Sequence, residues 1–142
     1  MLGEPDCGFE SLFRGSGNYY CYYAELYYAV FFQLDRFYDQ YEEEFKGGLF
    51  EVFLSAMDPF VFVDSRSADP AMSIEFEACF RKTFGERNLI SLDEGFNFIK
   101  IYFDYYVGIY AFDLQSIFKR LSKKDWEKCC NYAIEFLKGN KN

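Results

Sequence analysis

The chain has no histidine, one tryptophan and three prolines among its 142 residues. The lack of histidine excludes most reaction centres. Ser-His-Asp and Cys-His nucleophilic systems, the usual zinc sites and the Glu-x-x-His di-iron motif all require it. The cysteines are Cys7, Cys21, Cys79, Cys129 and Cys130, an odd set with no C-x-x-C spacing. Gly47-Gly48 is not followed by Lys-Ser or Lys-Thr, and no G-x-G-x-x-G occurs, so phosphate-cradling loops are absent. No stretch reaches the roughly 18 uncharged apolar residues of a membrane span, since Glu25 interrupts the best candidate. The opening MLGEPDCGFE is acidic and has no apolar core of a secretory signal. The expectation is a cytoplasmic protein whose reduced thiols behave as small hydrophobes.

What the chain does have is aromatic mass: 19 Phe and 13 Tyr, within an apolar share of 51%. That is enough to build a sizeable core in one domain spanning residues 1–142. Thirteen tyrosine hydroxyls all want partners, so some rings should lie half covered at a surface, as they do at interfaces. Charge is uneven. Residues 1–80 carry 15 acids against 4 bases, a net −11, while residues 81–142 carry 8 acids against 11 bases, a net +3. The whole chain is at −8, the wrong sign for a general nucleic-acid binder. The acidic half either pairs with the basic half or faces a basic partner.

The stretch Asn18–Phe45 organises the rest. Tyr19 to Leu34 is apolar or aromatic on all sides, interrupted only by Glu25 and Gln33; beyond that, Phe37, Tyr38, Tyr41 and Phe45 form a stripe opposite acids. This predicts one helix capped by Asn18 and ended by Gly47-Gly48, roughly 40 Å long, that leaves a core and continues along its surface. Shorter helices follow. Leu49–Met57 is stopped by Asp58-Pro59. Pro70–Phe84 opens with Asp69 as N-cap and closes at Gly85. Ser91-Leu-Asp-Glu94 reads as a capping box before a face of Phe96, Ile99, Phe103, Tyr106 and Tyr110, weakened by Gly95 and Gly108. Asp113 caps a short helix to Leu121. Ser122 caps Lys123–Lys138, with Trp126, Cys129, Cys130, Ala133, Phe136 and Leu137 as its apolar stripe. With no hairpin signal, the prediction is an all-α bundle of about six helices around a long central one. The Tyr and Phe runs at 19–32 and 98–112 also suit strands, so α+β is the alternative.

Asp35, Asp39, Glu42 and Glu43 fall on one face of the long helix. As a cation site they draw on too few elements; as a solvated face they keep the protein soluble; as a docking stripe they meet Lys and Arg of a partner, with Tyr38 or Tyr41 as anchors. Lys119, Arg120, Lys123, Lys124 and Lys128 form a basic cluster at helix ends, which self-pairing accounts for. Ser122 beside Lys123 and Lys124 is explained by capping. No catalytic residue, metal site or cofactor is expected, and the chain is expected not to be an enzyme.

In size, acidity and aromatic helical composition the chain resembles small bacterial immunity proteins of the contact-dependent growth inhibition type. The resemblance implies a cytoplasmic antitoxin that neutralises a cognate basic nuclease toxin by covering its active site with an acidic, aromatic surface. Two other classes compete: a helical adaptor or phage or viral inhibitor acting by protein–protein binding, and a small enzyme using carboxylates and tyrosine. No nucleic acid and no membrane figure among the expected partners.

Overall fold

The transition from all-round apolar to amphipathic character after Leu34 is seen in the burial of the central helix. In the computed structural model, which describes residues 18–20, 23–60, 67–87, 89–106 and 114–139, this helix is α1, Tyr23–Gln40. Leu26, Tyr27, Ala29, Val30 and every residue from Phe31 to Leu34 are buried, whereas Arg36, Asp39 and Gln40 are exposed.

The ends of α1 differ from expectation. Asn18 does not cap it, because Asn18–Tyr20 is a strand, β1, paired antiparallel with β2, Leu89–Ser91, in the register Asn18↔Ser91, Tyr19↔Ile90, Tyr20↔Leu89. Nor does α1 run to Phe45. It spans 18 residues, about 27 Å at the usual rise. The chain breaks at Tyr41 (φ −121°, ψ 32°) and restarts as the single turn α2, Glu42–Phe45. The charge pattern favours this break. A continuous helix would stack Asp39, Glu42, Glu43 and Glu44 at its negative C-terminal end. The break places the three glutamates in the first turn of α2, where the helix dipole favours them.

The remaining helices follow their local signals. They are α3, Leu49–Met57; α4, Pro70–Phe84; α5, Leu92–Tyr106; α6, Leu114–Arg120; and α7, Lys123–Gly139. Asp69 accepts the Ala71 N–H at the start of α4, and Gly85 ends it at φ 63°, a conformation that penalises any side chain. The capping box closes in both directions at 3.0 Å: Glu94 N–H donates to Ser91 Oγ, and Ser91 N–H donates to Glu94 Oε1. Ser122 Oγ accepts the Asp125 N–H at the start of α7. Gly95 is buried, not exposed. Gly108, Tyr110 and the Asp113 cap expected from sequence lie outside the described residues.

The architecture is all-α: seven helices among the described residues, with one two-stranded ribbon joining the start of α1 to the start of α5. The α1 helix is central. It packs most extensively on α7 and also against α3, α4 and α5. Ring contacts Tyr28–Phe136 and Phe32–Tyr132 and the Arg36–Asp125 ion pair run in opposite senses along α1 and α7, so the two are antiparallel. The core is aromatic. Phe53, Phe76, Phe98, Tyr102 and Phe103 are almost wholly buried, with Phe76 edge-on to Tyr27, Phe98 and Tyr102. Buried hydroxyls find acceptors: Tyr27 donates to the Met57 carbonyl and Tyr106 to Glu75. Trp126 Nε1–H donates to the Leu92 carbonyl at 2.9 Å, tying α7 to the start of α5.

Candidate functional site

One stripe of α1, running along its border with α7, is Tyr28, Phe32, Asp35 and Asp39, spaced by four, three and four residues, with Phe32 buried and Asp39 exposed. Its first half lies in an aromatic platform. Phe32 sits 4.6 Å from Tyr132 of α7 and 6.0 Å from Phe60, which follows α3; Phe60 is 5.2 Å from Phe136. The platform is open to solvent, since Phe60 is 48% and Tyr132 61% exposed. Pro59 turns the chain out of α3, and the Phe60 N–H caps onto Asp58 Oδ1 at 2.8 Å, which holds the Phe60 backbone in place.

The second half of the stripe is acidic. Asp35 is half-buried, and that burial, with the nearby charges of Asp39 and Asp58, holds its carboxyl above the ordinary aspartate range. Among the described residues neither Asp35 nor Asp39 has an ion-pair partner. Arg36 points to the α7 side, where it meets Asp125 at 3.4 Å. A cleft of about 140 Å³ opens between α1 and α7, lined by Phe32, Asp35, Arg36, Lys128, Cys129 and Tyr132. Next to it lies a second hollow bounded by Arg36, Asp39, Gln40 and Asp125. Cys129 offers no nucleophile, because burial pushes its thiol up to about 12.

The structure brings together only part of the stripe expected from sequence. Asp35 and Asp39 share it, and Asp58 joins them from the end of α3. Glu42 and Glu43 do not: they stand exposed on α2, past the break at Tyr41, and Glu43 pairs with Lys46 at 3.3 Å. The expectation of one face bearing all four acids is corrected by that break. Tyr38 is half-buried beside Phe50 and near the Glu51 carboxylate. Tyr41 is half-buried beneath Arg120, whose guanidinium lies 4.6 Å from its ring. Both tyrosines therefore have partners inside the fold. The basic cluster pairs in part: Arg120 with Glu44, and Lys123 with Asp93 at 2.6 Å.

Sequence reasoning missed Phe60, Asp58 and Tyr132. Tyr132 had a legible signal, because it lies off the apolar stripe of α7 and an aromatic there must face outward. Phe60 and Asp58 had none, since their position depends on how α3 packs.

Among the described residues no group of three or more acids or thiols is placed to hold a metal ion, and no helix is long and apolar enough to cross a membrane. Searches against protein-family models, curated proteins and solved structures return no match to this chain.

Proposed function

We propose that this chain is a neutralising binding protein of the immunity type, acting in the cytoplasm on a cognate basic nuclease toxin. The observation that carries this reading is the pair of carboxylates Asp35 and Asp39, without ion-pair partners among the described residues, continuous with the exposed rings of Phe60 and Tyr132 that pack on the buried Phe32. Acids at such a face steer a cationic partner toward it and match the groups that bind phosphate in a nuclease site. Exposed aromatic rings then supply desolvated anchors that slow dissociation. Catalysis by the chain itself has no part in this reading.

The test is to co-express the chain with each basic nuclease domain that the neighbouring genes encode. The expected result is a stoichiometric complex in which nuclease activity is lost. A toxin that stays fully active with the chain in excess would overturn the reading.

A helical adaptor is the second reading. It is favoured by a separate apolar surface on α3, where Leu49 and Val52 are 43% and 54% exposed. Leu49 borders a cleft of about 260 Å³ that Phe45, Ile117 and Arg120 also line. An adaptor needs two such faces, and one large assembly recovered through Leu49 and Val52 would support it.

A further inference from the structure

We propose that the cleft between α1 and α7 receives an arginine side chain of the partner, its guanidinium facing the Asp35 carboxylate beside the exposed ring of Tyr132, with Phe32 at the cleft floor. This rests on the binding-protein reading above and names its central contact.

Four observations point to that occupant. The volume, about 140 Å³, suits the head of one side chain. It is well below the roughly 300–1,000 Å³ of sites that enclose whole small molecules. The walls combine aromatic faces with a carboxylate, which is the pairing a planar, weakly hydrated guanidinium prefers over a compact ammonium. The carboxylate is half-buried and has no ion-pair partner among the described residues, so it keeps a desolvation cost that an incoming cation offsets. The field around it is negative on two sides, from Asp39 one turn along α1 and from Asp58 at the end of α3.

Two cations also line the cleft. Arg36 is committed to Asp125. Lys128 stands on the α7 wall with no ion-pair partner among the described residues. It opposes a second cation, which gives the proposal a further check.

The experiment uses N-acetyl-arginine amide as probe, titrated into the isotope-labelled protein and followed by NMR. Saturable shifts are expected at Phe32, Asp35 and Tyr132. The neutral citrulline amide should cause none. Asp35→Asn should weaken binding about tenfold or more, as loss of a charge-assisted contact does. Lys128→Ser should tighten it. Tyr132→Ala, at an exposed position that leaves the core intact, should weaken it severalfold. Equal binding of the citrulline amide, or shifts elsewhere with the cleft silent, would overturn the proposal. A lysine amide that binds as tightly as the arginine amide would overturn the guanidinium assignment. Arginine binding without toxin inhibition sinks only the immunity reading. Toxin inhibition with a silent cleft sinks only the cleft.

Discussion

Arg120 sets its two terminal nitrogens 2.7 and 2.8 Å from the two carboxylate oxygens of Glu44, a bidentate pair that pins the single turn α2 to the end of α6. The same guanidinium lies over three rings, Tyr41 at 4.6 Å, Phe37 at 5.3 Å and Phe45 at 5.5 Å. Its hydrogen bonds, and to a lesser degree its charge, hold the Glu44 carboxyl below the usual glutamate range. A one-turn helix has almost no stability of its own, so this clamp is what keeps α2 in place.

Lysine cannot reproduce a planar fork stacked on rings. Arg120→Lys is therefore expected to behave like Arg120→Ala. Amide hydrogen exchange at Glu44, Phe45 and Lys46 should speed up in both variants, with α1 and α5 unaffected. Protection in Arg120→Lys equal to the parent would show that charge alone suffices.

Asp35 should destabilise the isolated protein. Its folded carboxyl titrates above the ordinary aspartate range because of burial first and then Asp39 and Asp58. The folded state thus holds the proton more tightly than the unfolded state does, and stability falls as pH rises through that raised pKa. Asp35→Asn removes the penalty. Its melting temperature should exceed the parent's near neutral pH, and the two should converge below about pH 3.9, where the unfolded aspartate is also protonated. An Asn variant that melts lower than the parent at neutral pH would mean that the carboxylate is stabilised by the fold.

Ser91→Ala removes one arm of the capping box and should cost about 1 kcal/mol, measured by denaturant unfolding. The cost should exceed that of Ser122→Ala, because the Ser122 bond is longer at 3.3 Å against 3.0 Å. Equal, negligible losses would show that packing alone sets the start of α5.

The separation of α2 from the Asp35 stripe predicts different kinetic effects. Glu42→Ser and Glu43→Ser, on exposed positions, should leave binding to the proposed basic partner within about twofold at physiological salt. Asp35→Ser with Asp39→Ser should slow association and flatten its salt dependence. Stopped-flow association at two salt concentrations distinguishes them. A larger effect from the Glu42 and Glu43 pair would move the interface onto α2.

Local chemistry alone was enough for most of the elements. The Asp69-Pro70 start, the Gly85 stop, the Ser91–Glu94 box and the Asp58-Pro59 stop each act within one turn, so their outcome does not depend on the rest of the chain. The change from all-round apolar to amphipathic character after Leu34 was readable for the same reason, since burial follows helical period. The β1–β2 pairing was not readable. It joins two three-residue segments about seventy positions apart, with no turn signal to announce it. The break at Tyr41 lay between a sustained aromatic stripe and the repulsion of stacked acids, and the Arg120 clamp from a distant helix stabilises the broken form. The candidate site falls on this second side. Phe32, Phe60 and Tyr132 come from three segments, and only their packing turns scattered rings into a platform beside Asp35.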